Sequence, residues 1–283
     1  MTKNEGKYAL VTGGTSGIGY ELAKLLADDG YNLVIVARSE DDLQRVSADL
    51  RSQFGVEVLT MSKDLFEREN AFAIGEELKA KNIEIDILVN DAGHGQYGEF
   101  VETDIWKELK IIDLNISSLV ILTKIYLQEM VARGSGKILN VSSIASKIPG
   151  PWQSVYHGTK AFVQSFTEAV RSEVKDTGVT VTALLPGPTA TAFFEKADMT
   201  ESKIVKEGKL YDAADVARDG YEALMSGDDM VVSGLKNKLQ VAMSSVTPDA
   251  KLADKMKEKQ EPVGKRKRLS DRIYGNDDKP YSG

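Results

Sequence analysis

A glycine-rich run near the N-terminus constrains this chain more than any other feature. Gly13, Gly17 and Gly19 follow a short apolar segment, Tyr8 to Thr12, and they precede a stretch of helical period that begins at Ile18. A strand, a glycine turn and a helix in this order can hold a phosphate, because residues without Cβ let backbone N–H groups approach it and the helix N-terminus carries partial positive charge. The spacing is G-x-x-x-G-x-G, a variant of the dinucleotide-binding pattern. We therefore predict that this turn binds the phosphates of a dinucleotide.

The composition limits the chemistry that is open to the chain. Its 283 residues are 42% hydrophobic and 28% charged, which is typical of a globular protein. The absence of cysteine excludes disulfides, thiolate nucleophiles and Cys-ligated metals, and we predict no metal site. The net charge of −7 opposes a nucleic-acid surface, because phosphate binding needs clustered Lys and Arg. The basic cluster Lys265 to Arg268 is interpreted as a solvated tail, with a targeting or anionic-surface signal as the alternative.

No segment of the sequence predicts membrane insertion or export. Apolar runs stay well short of the roughly 18 consecutive residues that indicate a spanning helix, and residues 1–6 contain no apolar stretch. The segment Ile116 to Val131 is rich in Leu, Ile and Val but contains Lys124 and Glu129, so we interpret it as a buried or interface helix. We expect a cytoplasmic protein without a transmembrane segment.

Short β-branched runs alternate with longer segments of helical period along most of the chain. This order predicts βαβ units, and consecutive apolar residues such as Leu33 to Val36 predict strands that are buried on both faces. Ser39 to Asp42 has the pattern of a capping box for a helix that runs toward Gly55. We predict an α/β fold, a Rossmann-type doubly wound parallel sheet of about seven strands in a three-layer α/β/α arrangement. The predicted strands are Tyr8 to Thr12, Asn32 to Ala37, Glu57 to Met61, Ile85 to Asn90, Lys137 to Ser142, Val179 to Leu185 and Met230 to Val232.

The end of the second strand indicates which dinucleotide binds. An NAD site normally places Asp or Glu there to accept hydrogen bonds from the ribose 2′-OH. Here the strand runs into Arg38 and Ser39, and a guanidinium suits a 2′-phosphate through charge-assisted hydrogen bonds. We predict that NADP(H) is preferred over NAD(H). The alternative is that Arg38 is an ordinary surface residue at a strand end.

Tyr156 and Lys160 form the candidate catalytic pair. They are four residues apart, so on a helix they share one face. A cation near a phenol favours the phenolate, and we expect the pKa of Tyr156 to be lowered enough for proton exchange with a carbonyl or alcohol oxygen. Taken alone, such a pair is more often a surface contact than a catalytic one.

Further motifs accompany this pair in a consistent order. Ser143 precedes Tyr156 by thirteen residues, at the end of a predicted strand. Together with the glycine turn, this set resembles the short-chain dehydrogenase/reductase family over roughly Lys7 to Ser233. The other matching motifs are Asp64-Leu65, Asn90-Asp91-Ala92-Gly93, Asn115 and Pro186-Gly187-Pro188-Thr189.

The resemblance implies a role for each matching residue. Tyr156 would be the general acid in reduction and the general base in oxidation, with Lys160 lowering its pKa and binding the nicotinamide ribose. Ser143 would polarise the substrate oxygen, with Ser142 as the competing choice, and Asn115 would hold a water that links Lys160 to solvent. The implied cofactor contacts are Gly13, Thr15, Ser16, Gly17, Ile18, Gly19, Arg38, Asp64, Leu65, Asn90, Ala92, Gly93, Tyr156, Lys160, Pro186, Gly187, Thr189 and Thr191.

One position departs from the family pattern. Asp91 stands where the family has the second asparagine of Asn-Asn-Ala-Gly. An ionised carboxyl only accepts hydrogen bonds, whereas an amide also donates them. We expect this change to affect local strand contacts more than catalysis, and we assign no role to the nearby His94.

The resemblance also implies a substrate pocket and an assembly. The pocket would contain Tyr97, Trp152, Phe193 and Phe194, which predicts an apolar ketone or aldehyde, unless these aromatics only pack a lid. We predict an NADP(H)-dependent carbonyl reductase that forms a homodimer or homotetramer through the helices over Ile116 to Val131 and Ala161 to Val174. The alternative function is a non-catalytic NADP(H)-binding regulator on the same fold. An isomerase or epimerase is disfavoured, because the chain lacks room for a larger substrate domain.

The chain divides into three predicted regions. Residues 1–233 form the catalytic domain, 234–263 a helical extension, and 264–283 a basic and polar tail that is mobile or docked on a neighbour. Within the extension an apolar stripe would pack on a neighbouring subunit or, as the less favoured alternative, rest on a membrane surface. Its residues are Leu235, Leu239, Val241, Met243 and Val246.

Overall fold

The computed structural model describes residues 4–264 and has one parallel sheet of seven strands at its centre. The strand order is β3-β2-β1-β4-β5-β6-β7, so the chain winds outward from β1 in both directions, which confirms the predicted doubly wound fold. The tail predicted beyond Gly264, with its basic cluster, lies outside the described residues. The strands are β1 Tyr8–Thr12, β2 Asn32–Ala37, β3 Val58–Ser62, β4 Ile85–Asn90, β5 Gly136–Val141, β6 Val179–Leu185 and β7 Met230–Val232.

Helices cover both faces of the sheet. The predicted start and end of the second helix are confirmed: the Ser39 hydroxyl accepts a hydrogen bond from the backbone N–H of Asp42, and Gly55 ends the helix at a φ of 71°. The helices are α1 Gly17–Asp28, α2 Glu40–Phe54, α3 Glu69–Ala80, α4 Ile105–Ile112, α5 Leu119–Arg133, α6 Ser154–Val174, α7 Phe193–Lys196, α8 Lys203–Lys206, α9 Ala213–Ser226, α10 Leu235–Ser244 and α11 Asp249–Gln260.

Two apolar cores hold the three layers together. On one face, Leu22 and Leu26 of α1 pack with α2 and α9 against the strands. On the other face, Leu122 and Tyr126 of α5 pack with α3 and α6. The central strands are buried from both sides, as their continuous apolar sequence predicts.

The helix between β4 and β5 is longer than predicted. It runs from Ile105 to Arg133 and contains a π-helical segment, Asp113–Ser118, between α4 and α5. By length and composition it is the one helix among residues 4–264 that could cross a membrane. Its buried side chains Leu114, Leu122, Tyr126 and Met130 belong to the core on one face of the sheet, which fits the buried helix that the sequence predicts.

The extension after β7 folds back over the carboxyl ends of the strands. The chain after α11 pairs with the chain before α8 through an antiparallel bridge between Ser202 and Pro262. Leu235 and Leu239 of α10 are exposed, as expected for the predicted apolar stripe, but Val241 is buried against β6 and β7. Val241 therefore does not belong to the stripe, because the turn of the helix directs it toward the sheet.

Candidate functional site

A large cleft opens at the carboxyl edge of the sheet. Its volume is about 1420 Å³, and it extends from Arg38, after β2, to Phe194, in α7. The loops after β1, β2, β4, β5 and β6 all border it. Parallel α/β sheets bind ligands at this edge, where the strand order reverses between β1 and β4.

The glycine turn forms one wall of this cleft, and its conformation requires glycine. Gly13 and Gly17 have φ values of 72° and 58°, which side chains disfavour. A Cβ on Gly13 would lie 3.1 Å from the backbone nitrogen of Ala92. The Thr12 hydroxyl accepts hydrogen bonds from the N–H groups of Asp91 and Ala92, each at 3.1 Å, so it joins the turn to the loop after β4.

These features fit a bound dinucleotide. The cleft is long, one end meets the N-terminus of α1, and the first turn of that helix contains no acidic residue. Gly19 does not line the cleft but packs behind the turn, against Asp91. The predicted cofactor residues that line it are Gly13, Thr15, Ser16, Gly17, Ile18, Arg38, Asp64, Leu65, Ala92, Gly93, Tyr156, Lys160, Pro186, Gly187, Thr189 and Thr191.

Asn90 does not contribute its side chain to the cleft, which corrects its assignment as a cofactor contact. Its amide nitrogen donates to the Thr123 hydroxyl at 3.1 Å and to the Asn140 side-chain oxygen at 2.9 Å. Asn140 in turn donates to the Thr167 hydroxyl at 3.0 Å. Asn90 therefore joins β4 to β5 and α5 inside the protein, because alternate strand residues point to opposite faces of the sheet.

Arg38 lies at the end of the cleft where the sequence predicts the 2′-phosphate. Its guanidinium stacks over the Phe66 ring at 5.1 Å, and no carboxylate among residues 4–264 forms an ion pair with it. Ser39 and Lys63 line the same end. An unpaired, stacked guanidinium is well placed to bind an anion.

Tyr156 and Ser143 meet in the middle of the cleft. The Ser143 hydroxyl forms a hydrogen bond with the Tyr156 phenol, whereas the Ser142 hydroxyl donates to the backbone carbonyl of Lys160 at 2.8 Å. Since Ser142 is occupied inside the protein, the structure favours Ser143 as the serine that meets a substrate. The pKa of Tyr156 is raised to about 12, chiefly by burial; the Ser143 hydrogen bond opposes this rise and the Asp91 carboxyl adds to it.

Lys160 lies on the same helix face as Tyr156, as predicted, but does not bond to its hydroxyl. The ammonium donates to the backbone carbonyl of Val141 at 2.8 Å and lies 5.9 Å from the centre of the Tyr156 ring. Burial lowers the pKa of Lys160, and the carboxyl of Asp91 opposes that change. The expected lowering of the Tyr156 pKa by Lys160 is thus absent from this structure, because desolvation of the phenol outweighs the effect of a cation that bonds elsewhere.

Asn115 lies beside this pair and fixes the loop after β4. Its amide nitrogen donates to the carbonyl of His94 at 2.9 Å and to the Thr159 hydroxyl at 3.0 Å, and its amide oxygen accepts from the His94 N–H at 3.0 Å. Both polar atoms of this buried side chain are bonded to protein. The side chain therefore positions the loop and α6, and the water that the resemblance implies at Asn115 stays a prediction.

Two of the four residues predicted for the substrate pocket line the cleft, and two do not. Phe193 and Phe194 line the cleft, and the Phe193 ring lies 5.1 Å from that of Tyr156. Tyr97 and Trp152 stack on each other at 5.5 Å, outside the lining, and the Tyr97 hydroxyl donates to the carbonyl of Gln260. These two aromatics support the wall of the cleft from behind.

The end of α11 is part of this wall, and the sequence analysis did not find it. His157, buried beside Tyr156, has Nδ1 at 2.7 Å from the carbonyl of Ile148 and Nε2 at 3.1 Å from the side-chain nitrogen of Gln260. Gln260 also donates to the Gln153 side chain at 3.3 Å. His157 stands next to the predicted tyrosine, but no spacing in the sequence connects it to a residue near the C-terminus.

Comparison with known proteins gives a consistent result. The model of the family described as short chain dehydrogenase matches residues 7–202. The chain is 38% identical over 192 residues to the very-long-chain 3-oxoacyl-CoA reductase of Rattus norvegicus, a match that covers 66% of this chain and 60% of that protein. It is 34% identical over 187 residues to a short chain dehydrogenase of Pseudocercospora fijiensis, covering 65% and 60%. The chain thus spans about 60% of the length of these curated relatives.

Solved structures agree with this family match. A short-chain dehydrogenase from Sphingobium yanoikuyae in complex with NADPH superposes with a TM-score of 0.76 at 27% identity, covering 85% of this chain and 94% of that one. L-sorbose reductase from Gluconobacter frateurii, complexed with NADPH and L-sorbose, superposes with a TM-score of 0.72 at 26% identity, covering 83% and 98%.

Proposed function

This chain belongs to the short-chain dehydrogenase family, and on that premise we propose that it is an NADP(H)-dependent oxidoreductase that reduces a carbonyl group. The observation that carries the proposal is the Tyr156 phenol, hydrogen-bonded to Ser143 in a cleft that also contains Lys160 and the glycine turn. A non-catalytic regulator would have no use for these three side chains in one place. Fold alone does not decide function, so the proposal rests on this site.

The residues of the site account for the proton that reduction requires. Reduction forms a C–H bond at the carbonyl carbon and an O–H bond at its oxygen, and a bound reduced nicotinamide supplies the hydride. Tyr156 is the proton donor, and its raised pKa keeps the phenol protonated at neutral pH, as a general acid must be. The Ser143 hydroxyl would donate a hydrogen bond to the same oxygen, and the charge of Lys160 would stabilise the phenolate that remains.

We propose NADP(H) as the preferred dinucleotide because of Arg38. Its guanidinium stacks on Phe66 at the end of the cleft and has no carboxylate partner in the described part of the chain. Two similar structures contain NADPH, which supports the same choice. The predicted cytoplasmic location and homo-oligomeric state stay predictions.

The substrate end of the cleft favours two classes of carbonyl compound. Phe193, Phe194 and Met256 provide an apolar wall, which suits the predicted ketone or aldehyde. Several lysines, among them Lys196 and Lys236, also line the cleft, so an anionic group on the substrate would be accommodated as well. The very-long-chain 3-oxoacyl-CoA reductases are similar to this chain, and we therefore propose a 3-oxoacyl thioester as the second candidate.

The test is a panel of carbonyl substrates followed by the oxidation of NADPH. The panel pairs uncharged ketones with 3-oxoacyl-CoA thioesters of matched chain length and compares wild type with Tyr156→Phe. The matched control is Tyr126→Phe, because the Tyr126 hydroxyl is buried in the core and has no hydrogen-bond partner in the described part of the chain. We expect Tyr156→Phe to lower kcat by a factor of about 100 or more, the range of general acid catalysis, and Tyr126→Phe to retain activity.

Two results would overturn the proposal. If the wild type binds NADPH but reduces no member of the panel, the regulator is the better assignment. If Tyr156→Phe is as active as the wild type, Tyr156 is not the proton donor.

A further inference from the structure

Gln153 is a buried polar residue in the cleft that the proposed reaction does not use. It directly precedes α6 and is 4% exposed, and its side chain makes no hydrogen bond to the start of that helix. Its Nε2 atom has no hydrogen-bond partner among residues 4–264, although Gln153 lines the cleft close to Tyr156. Because burying an amide N–H without a partner is costly, this nitrogen indicates an acceptor that a ligand supplies.

A chain of hydrogen bonds decides which atom of Gln153 is left over. Nδ1 of His157 lies 2.7 Å from the Ile148 carbonyl, which only accepts, so in the neutral ring Nδ1 carries the proton and Nε2 is an acceptor. Gln260 must therefore direct its NH₂ group to Nε2 of His157, at 3.1 Å. The same group donates to Oε1 of Gln153 at 3.3 Å. The oxygen of Gln153 is thus engaged by α11, and the atom without a partner is the hydrogen-bond donor.

This donor lies beside the ring of the proposed proton donor. A Cβ on Gly95 would lie 3.2 Å from Nε2 of Gln153 and 3.4 Å from Cδ2 of Tyr156, so both atoms border the space that this glycine leaves. The same point lies 2.9 Å from Cζ of Phe193, a half-buried residue of the short helix α7. A substrate oxygen would reach Nε2 next to Tyr156 once the Phe193 ring turns aside.

We propose that Gln153 is a specificity-determining residue, which donates a hydrogen bond to a second oxygen of the substrate, a few bonds from the carbonyl that is reduced at Tyr156. A 3-oxo ester or thioester has such an oxygen, whereas a simple ketone leaves the buried donor unpaired. Gln260 holds the donor in place from the end of α11. The inference rests on the proposed function for the reduction itself, and it adds the group that separates the two proposed substrate classes.

The first experiment compares two substrates that differ only in the group that contains the second oxygen. Ethyl 3-oxohexanoate and nonan-4-one have the same chain length and the same ketone position, and their reduction is followed by the oxidation of NADPH. Gln153→Met removes the donor and keeps an unbranched side chain of similar length. We expect this variant to lower the ratio of kcat/KM for the keto ester to kcat/KM for the ketone about tenfold, mainly through KM, because one hydrogen bond is lost.

The matched control is Gln164→Met. Gln164 is also a buried glutamine, on α6, but it lies outside the lining of the cleft. Its replacement should leave the ratio of the two kcat/KM values as in the wild type, whatever its effect on the overall rates. A Gln153→Met protein with the same ratio as the wild type would overturn the proposal.

The second experiment detects the hydrogen bond itself by NMR in the ¹⁵N-labelled wild type, without catalysis. The side-chain NH₂ resonances of Gln153, assigned through their proximity to the rings of Tyr156 and Phe193, are recorded with NADP⁺, which cannot supply a hydride. Ethyl 3-oxohexanoate should move one of these proton resonances downfield, and nonan-4-one should not. Resonances that the keto ester leaves unmoved would overturn the proposal. If the wild type oxidises NADPH with neither compound, the proposed function fails, and this measurement still decides the role of Gln153.

Discussion

The side-chain nitrogen of Gln260 lies 3.1 Å from Nε2 of His157, although the two residues are 103 positions apart in the chain. Nδ1 of His157 bonds to the carbonyl of Ile148, so it carries the proton and Nε2 accepts from Gln260. The last turn of α11 is thereby attached to the residue that follows the proposed proton donor.

Replacing Gln260 should therefore disturb both stability and activity. Gln260→Ala leaves Nε2 of His157 buried without its donor, and we expect a loss of about 1–3 kcal/mol in the free energy of unfolding, together with a lower kcat/KM. Urea unfolding and steady-state kinetics measure the two effects. Gln53→Ala, which removes an exposed contact with Asp49 on α2, is the control and should change neither. A Gln260→Ala protein as stable and active as the control would show that the contact has no role.

Acidification should destabilise the protein through His157. Burial lowers the pKa of this imidazole, with the carbonyls of Ile148 and Ala145 opposing the effect, so the unfolded state binds a proton more readily than the folded state does. The stability from the neutral ring is fully present above the unfolded pKa of about 6.5 and decreases as the pH falls below it. Unfolding of wild type and His157→Gln, measured across this range, should show a smaller acid loss in the variant. If the stability of the two proteins fell equally with decreasing pH, the acid loss would not come from His157.

Gly19→Ala should impair dinucleotide binding. The new Cβ would lie 2.5 Å from Asp91 Oδ2 and 2.7 Å from the Gly13 carbonyl oxygen, so the glycine turn must shift. We expect NADPH affinity to fall at least about tenfold, equivalent to about 1.4 kcal/mol. Gly158→Ala is the matched control, because a Cβ there meets nothing within 4 Å. Because residue 158 is an exposed helical position, Gly158→Ala should raise the free energy of unfolding by about 0.5–1 kcal/mol. The variant should retain NADPH binding.

Arg38→Ser should change the choice between dinucleotides. Hydrogen bonds from a charged group contribute about 1.5–3 kcal/mol, so the KM for NADPH should rise by a factor of about 10 to 100 while the KM for NADH stays unchanged. Arg68→Ser removes an exposed guanidinium outside the cleft and serves as the control. Equal increases in the KM for NADPH and the KM for NADH would show that Arg38 does not distinguish the two dinucleotides.

Trp106 lies near the start of the helix that runs from Ile105 to Arg133. If the predicted homo-oligomer forms through this helix, Trp106→Glu should separate the subunits. Trp106 is 73% exposed, and Phe100, Val101 and Ile105 beside it are exposed as well, a pattern that often marks an interface. Light scattering should give a multiple of the 30.9 kDa chain mass for the wild type and a smaller species for Trp106→Glu. Phe72→Glu, at an exposed position on α3, is the control. A wild type that is monomeric by light scattering would contradict the predicted homo-oligomer.

The sequence allowed accurate prediction wherever function depends on residues that are near one another in the chain. The boundaries of β3 and β5 differ from the prediction by only one residue at each end. The cap at Ser39 and the shared face of Tyr156 and Lys160 follow from helical spacing, which is a local property. The glycine turn was predictable for the same reason, since its backbone conformation excludes most side chains.

Predictions failed where the direction of a side chain depends on distant residues. Asn90 matched a motif, but its position on β4 turns its amide toward α5 and β5. Tyr97 and Trp152 are aromatic residues near the expected pocket, yet they stack on each other, and the Tyr97 hydroxyl bonds to the end of α11. The phenol of Tyr156 is buried, and the energetic cost of desolvation depends on every element packed around it.

By itself the sequence determined the alternating strands and helices, the phosphate-binding turn and the order of the site residues, because periodicity, chirality and the lack of a Cβ act over a few neighbouring positions. The tertiary structure alone decided that the Asp91 carboxyl packs against Gly19 and that α11 reaches His157. Those relationships depend on packing between elements far apart in the chain, where burial and charge are set by the whole fold.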